Sequence, residues 1–142
     1  MKRILLVDDE PAILQSLRMI LTMAGYEVET AWSSQEALEL AGREAFDLMI
    51  TDFNMPGMKG DELAVGVKAC RPGLPVLMLS GSAEILRATG RALPAVDVLL
   101  GKPFRFDELR REIERLLAPL VAATSQEQWS EVRQGEAALG IA

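Results

Sequence analysis

The chain contains no histidine and a single cysteine among its 142 residues. Without an imidazole it can hold no His-centred catalytic triad, no His-ligated metal and no phosphohistidine of its own. One cysteine, Cys70, excludes an internal disulfide and fits a reducing compartment. Its helical surroundings predict a buried thiol with no chemistry. No apolar stretch approaches the roughly 20 residues that a membrane-spanning helix needs. The basic start, Met1-Lys2-Arg3, leads into a short apolar run that stops at two aspartates, which is not a signal peptide. The expected location is therefore the cytoplasm, with no membrane partner. Basic charge is also short. A formal net charge of −6, with lysine and arginine scattered, argues against a nucleic-acid partner for this chain. Internal repeats and low-complexity segments are absent too.

What the chain does have is a set of short apolar runs, each closed by a polar residue. Residues 3–7 end in Asp8-Asp9, residues 46–51 end in Asp52, residues 76–79 end in Ser80, and residues 96–100 are followed by Lys102-Pro103. Runs of this length without period-two alternation read as strands buried on both faces of a parallel sheet. Ligand chemistry in such sheets collects beyond the carboxyl ends of the strands. Four strands would then bring three carboxylates, a hydroxyl and an ammonium to one edge.

Between these runs the sequence signals helices. Pro11 suits the first turn of a helix over residues 11–24, stopped by Gly25 and striped with Ile13, Leu14, Leu17, Ile20 and Leu21. Residues 26–31 form a more polar strand, expected at a sheet edge. Ser33 with Glu36 has the pattern of a capping box for a helix closed by Gly42. The loop 53–60 is too rich in glycine and proline to be helical. A helix follows over 61–70, a strand over 74–79, and a helix over 84–93 that Gly90 and Pro94 weaken. A last helix covers 107–117. Strand and helix alternate five times, which predicts an α/β fold: a doubly wound, five-stranded parallel sheet with helices on both faces. Residues 118–142 fall outside the pattern and are expected to be a C-terminal extension, mobile or helical. A docked helix with Trp129, Val132, Glu136 and Leu139 on one face is the preferred form. Met49, Met55, Met58 and Met78 are read as core and loop packing.

The strand-end residues suggest a chemistry. Converging carboxylates raise one another's pKa, and a divalent cation is the usual resolution. Mg²⁺ takes oxygen ligands, typically one or two carboxylates with waters and a phosphoryl oxygen. Asp9 and Asp52 suit it directly, Asp8 through water. Lys102 adds a point charge for a phosphate and Ser80 a hydrogen-bond donor. Taken singly, each residue has a plainer explanation: favourable charge at a helix N-terminus for Asp8 and Asp9, a turn for Asp52, a cap for Ser80, a solvated side chain for Lys102.

Taken together, Leu5-Leu6-Val7-Asp8-Asp9-Glu10, Thr51-Asp52 through Lys59-Gly60, Leu79-Ser80-Gly81 and Lys102-Pro103-Phe104 resemble the receiver domain of bacterial two-component response regulators. The resemblance covers residues 1–117, matches in order and spacing, and implies the flavodoxin-like strand order 2-1-3-4-5. It implies that Asp52 accepts a phosphoryl group from a histidine kinase or phosphotransfer protein. Mg²⁺ would be held by Asp9, Asp52 and the Asn54 backbone carbonyl, with Asp8 acting through water. Ser80 would be the switch hydroxyl and Lys102 the phosphate partner. Asn54 and Ser82 would tune water attack on the acyl phosphate, and the Lys102–Pro103 peptide would be cis. Such a domain catalyses only its own phosphorylation and dephosphorylation and is not otherwise an enzyme.

Leu99 departs from the family, which usually has an aromatic ring at this place whose swing follows the hydroxyl. Gly81 and the weak fourth helix point instead to an output through order in that helix and its loops. The residues after 117 are too few for a further output domain, so the expectation is either a single-domain regulator or a piece of a longer one. Its target would be a protein, with dimerisation left open. Two other readings stand beside this one: a phosphorylation-independent interaction module on the same fold, and an aspartate-nucleophile phosphatase. The second typically needs another acid two residues after the nucleophile, where this chain has Asn54.

Overall fold

The computed structural model describes residues 1–88 and 93–118. Five strands, β1 (Arg3–Val7), β2 (Glu27–Ala31), β3 (Leu48–Asp52), β4 (Val76–Ser80) and β5 (Val98–Gly101), alternate with five helices. The helices are α1 (Pro11–Met23), α2 (Ser34–Arg43), α3 (Gly60–Cys70), α4 (Ala83–Ala88) and α5 (Phe106–Leu116). All strand pairs are parallel and the sheet order is β2-β1-β3-β4-β5, the expected architecture.

Alternate residues of the central strands feed two separate cores, which is why their sequences show no alternation of polarity. Ile4 and Leu6 of β1 join Ile50, Leu77 and Leu79 beneath Leu17, Ile20 and Leu21 of α1 and Leu109 and Ile113 of α5. Leu5 and Val7 join Met49 and Val76 on the other face, against Ala37, Leu40 and Ala41 of α2 and Leu63, Ala64 and Val67 of α3. Each buried Leu, Ile, Val or Met here contributes roughly 1.5–3 kcal/mol, so the two cores carry most of the fold's stability. Strand β2 is the polar edge the sequence predicts, with Glu27 and Glu29 exposed.

Strand register is pinned at the end of the sheet where the strands begin. The Asp47 carboxylate accepts the Arg3 N–H at 2.8 Å, while the Asp47 N–H donates to the Arg3 carbonyl at 2.8 Å. Asp97 repeats the device: its carboxylate accepts the Val76 N–H at 2.8 Å and its N–H donates to the Val76 carbonyl at 2.9 Å. These ties explain why β3 and β5 start at Leu48 and Val98, two residues later than the apolar runs suggest. Strand β4 likewise begins at Val76 rather than at residue 74.

The helices mostly hold their expected bounds. Helix α1 ends at Met23, and Gly25, with φ 98°, turns the chain into β2 through a backbone conformation that other residues adopt at a cost. The Ser33 hydroxyl caps α2 by accepting the Glu36 N–H at 3.1 Å. That helix runs one residue past Gly42, because the Glu44 N–H still reaches the Leu40 carbonyl. Helix α4 starts at Ala83, a residue earlier than expected; residues 89–92 of its predicted span lie outside the described residues, and Leu93 is not helical. The proposed helix with Trp129, Val132, Glu136 and Leu139 also lies outside them. Cys70 contradicts its prediction: the last residue of α3 is exposed, its thiol turned back onto the Gly66 and Val67 carbonyls. Met49, Met55 and Met78 are buried as expected, whereas Met58 is exposed.

Candidate functional site

The carboxyl ends of β1, β3, β4 and β5 converge, as parallel strands of matched register must, and each delivers one or two of the predicted residues. One carboxylate oxygen from each of Asp8, Asp9 and Asp52 lies within 4.8 Å of the others. Asp8 and Asp52 are buried at 2% and 8% exposure, while Asp9 is half-buried. The Lys102 ammonium crosses from the end of β5 to Asp52 Oδ1 at 2.7 Å. Carboxylates thus outnumber the ammonium three to one within this cluster.

Burial raises the Asp8 pKa above the ordinary carboxylate range. The hydrogen bond its Oδ1 accepts from the Glu10 N–H, at 2.9 Å, works against this, as does Lys102; the charges of Asp52 and Asp9 reinforce it. The donor set, three close carboxylates with an uncompensated charge, is the chemistry that a hard divalent cation such as Mg²⁺ satisfies. The residues fit the expected ion.

Ser80 ends β4 and is buried. Its Oγ accepts the Ser82 N–H at 2.9 Å, and its carbonyl accepts the Lys102 N–H at 2.8 Å. The hydroxyl proton remains available to donate. Ser82 therefore acts here through its backbone, orienting the neighbouring hydroxyl, and its own side chain is exposed. The Lys102–Pro103 peptide is cis. Leu99 is half-buried on β5, and its carbonyl accepts a hydrogen bond at 2.6 Å from Arg87 of α4.

The loop after Asp52 is held tightly. Phe53 N–H donates to the Leu79 carbonyl and Gly60 N–H to the Phe53 carbonyl, both at 2.8 Å. A Cβ at Gly60 would stand 2.3 Å from the Asp52 carbonyl oxygen and 2.9 Å from the Phe53 Cα, so only glycine permits this approach. The buried Ser34 hydroxyl, from the start of α2, donates to the Met58 carbonyl at 2.8 Å. Lysine at position 59 has no acceptor with which to cap α3; the Glu62 carboxylate instead accepts the Lys59 N–H at 3.4 Å. The Lys59 ammonium reaches back to Asn54 Oδ1 at 3.0 Å. Sequence reading found neither the Ser34 nor the Lys59 contact. Each depends on the path of the loop, and no spacing rule encodes that path.

Beside the acidic cluster, α1 and the segment after β5 enclose a groove of about 340 Å³ whose lining includes Ile13, Ser16, Leu17, Lys102, Pro103 and Phe104. Leu14, which shares the α1 stripe with Ile13 and Leu17, is buried and lines a different groove beside the exposed Trp32.

Comparison with known proteins agrees with this geometry. The transcriptional regulatory protein GlrR of Escherichia coli K12 is 38% identical over 128 residues, a match covering 90% of this chain and 29% of GlrR. The chain thus spans less than a third of that protein's length. The response regulator TrrA of Thermotoga maritima, solved in complex with Mg²⁺–BeF, superposes with a TM-score of 0.75 at 36% identity, covering 82% of this chain and all of that one. A second structure holds TrrA in complex with the histidine kinase ThkA; there the TM-score is 0.73 at 36% identity, covering 82% of this chain and 99% of that one. Residues 4–114 match the model of the response regulator receiver domain, and the chain belongs to that family.

Proposed function

We propose that this receiver domain is a phosphorylation switch with Asp52 as the acceptor. The observation that carries the reading is the contact between Asp52 Oδ1 and Lys102 at 2.7 Å inside a cluster of three carboxylates. An isolated structural ion pair would not need the two further acids. An Asp carboxylate is a competent phosphoryl acceptor, and the transfer asks the protein mainly for positioning and charge neutralisation.

In the step itself an Asp52 carboxylate oxygen attacks the phosphorus of a phosphohistidine on a partner kinase or phosphotransfer protein. The P–N bond breaks, its electron pair stays with the departing imidazole, and an acyl phosphate forms. Asp9, Asp52 and the Asn54 carbonyl would hold Mg²⁺, with Asp8 contributing through water. The bound ion supplies positive charge to the phosphoryl oxygens. Lys102 moves its ammonium from the carboxylate to a phosphoryl oxygen. The Ser80 hydroxyl, with its proton unengaged by Ser82, turns to donate to another. Asn54 and Ser82 flank the acyl phosphate and tune its hydrolysis.

Several observations support the setting. A similar regulator is solved with Mg²⁺–BeF and also in complex with a histidine kinase. No helix among the described residues is long and apolar enough to cross a membrane. The groove lined by Ile13, Leu17 and Phe104 opens beside Lys102, and we assign kinase docking to it. We place the chain in the cytoplasm, with a protein target and not nucleic acid. The ring that Leu99 lacks is replaced as output device by α4, tied to β5 through Arg87. The chain has no separate substrate and in that sense is no enzyme.

The test is incubation with a small phosphodonor and Mg²⁺, followed by intact mass. One phosphoryl adduct is expected, lost in Asp52→Asn. No adduct at saturating donor would leave an interaction module that works unphosphorylated, and rapid multiple turnover would leave a phosphatase.

A further inference from the structure

Lys59 opens α3, half-buried, with its ammonium 3.0 Å from Asn54 Oδ1. An ammonium has three donors and no acceptor, so only the carboxamide oxygen of Asn54 can face it. The amide oxygen thus faces Lys59 and the NH₂ group lies on the other side. Asn54 is exposed, two residues beyond Asp52 in a loop that Gly60 and Ser34 hold in place.

We propose that Lys59 is a positioning residue that prolongs the phosphorylated state, because its ammonium holds toward itself the acceptor oxygen with which Asn54 would orient a hydrolytic water. This rests on Asp52 being the phosphoacceptor. Hydrolysis requires a water whose oxygen faces the phosphorus while its proton is held by an acceptor. The water oxygen forms the new P–O bond, the acyl P–O bond breaks with its electron pair returning to the Asp52 carboxylate, and the water's proton passes to solvent. A carboxamide can hold that proton only through its oxygen. Lys59 takes one of the two lone pairs of Oδ1 and holds the oxygen on its own side. The NH₂ group then faces the other way, where it donates to a phosphoryl oxygen and does not accept the water's proton. The outcome is a site that binds the phosphoryl group and releases it slowly.

The experiment is to load the chain from a small phosphodonor with Mg²⁺, remove the donor, and follow the decay of the adduct by intact mass. Lys59→Met is expected to shorten the half-life by about three-fold or more, the scale on which losing or gaining alignment of a reactant acts. Lys59→Arg, which keeps the donors, should stay near the unchanged chain. In an Asn54→Ala background, Lys59→Met should change nothing. On the unphosphorylated, metal-free chain, Lys59→Met should move the Asn54 side-chain NH₂ resonances in a ¹⁵N-correlated NMR spectrum. An adduct whose half-life is the same in Lys59→Met overturns the proposal and leaves Asp52 as acceptor. So does an acceleration that persists without Asn54, which would mean that bulk charge acts instead. If the unchanged chain takes no adduct, the reading of Asp52 and this proposal fall together.

Discussion

Gly60 lies against Asp52 so closely that a methyl group on its Cα would sit 2.3 Å from the Asp52 carbonyl oxygen. The contact atom is backbone at the end of a fully buried strand, and it cannot yield as a flexible side chain would. Gly60→Ala must therefore push α3 away from β3. The expected cost is about 1–3 kcal/mol, as for other overpacked sites, and the Asn54–Lys59 loop should move with it. Urea denaturation measures the first effect and phosphorylation by a small donor the second. A variant with unchanged midpoint and unchanged adduct formation would show that the approach is not as tight as described.

Removing the Lys102 ammonium leaves Asp52 facing Asp8 and Asp9 with no counter-charge from β5. Lys102→Met is expected to slow phosphoryl uptake by roughly ten-fold or more, a barrier increase of about 1.4 kcal/mol. The same change should tighten Mg²⁺ binding, since a competing cation has gone. Intact-mass time courses and isothermal titration calorimetry read the two separately. Equal uptake rates would exclude Lys102 from the transfer.

The raised pKa of Asp8 makes stability depend on pH in a definite direction. The folded state holds the Asp8 proton to higher pH than the unfolded chain does, so between the two pKa values folding takes up a proton. Stability from this group is complete below the ordinary carboxylate range and is lost as pH rises through the folded value. At neutral pH, without divalent cation, Asp8→Asn should then melt higher than the unchanged chain. An asparagine oxygen can still accept the Glu10 N–H. The gap should close as the solution is acidified into the carboxylate range, and Mg²⁺ should narrow it at neutral pH. Melting curves at several pH values check this; a lower melting temperature for Asp8→Asn at pH 7 would contradict it.

Arg87 ties helix α4 to the Leu99 carbonyl at 2.6 Å. Among its described residues α4 buries Ala83 and Leu86, and the Arg87 bond ties it to β5. Arg87→Ala should speed amide exchange over residues 83–88 by several-fold, corresponding to about 0.5–1.5 kcal/mol for one hydrogen bond, and leave β1 and β3 unaffected. A phosphoryl mimic should protect the same segment in the unchanged chain and less in the variant. Uniform exchange in all four states would remove α4 as the output element.

The two-faced burial and the four converging strand ends were legible in the sequence because short apolar runs and their closing residues report local physics. The strand order followed only from the resemblance to the receiver family. Asp8, Asp9, Asp52, Ser80 and Lys102 meet where parallel strands must bring them. The misses are of another kind. Cys70 lies at the last turn of α3, where helical periodicity no longer decides which side faces the core. Strands β3 and β5 begin late because Asp47 and Asp97 spend their side chains on a neighbouring strand. Ser34 and Lys59 act on a loop whose course depends on Gly60 touching Asp52. Contacts of that sort depend on three-dimensional paths, and residue type alone does not reveal them.

The paired ties made by Asp47 and Asp97 give the site its ruler. Because β1, β3 and β4 are apolar on both faces, a slip of one residue would still bury apolar side chains, and hydrophobicity alone leaves the register weakly specified. Such a slip moves a strand end by about 3.3 Å, enough to separate the acidic cluster. The distance from Asp47 to Asp52, and from Asp97 to Lys102, is a fixed count of residues along a stiff strand. Two aspartates that never approach a phosphoryl group thus set, from the far side of the molecule, where the acceptor and its ammonium meet.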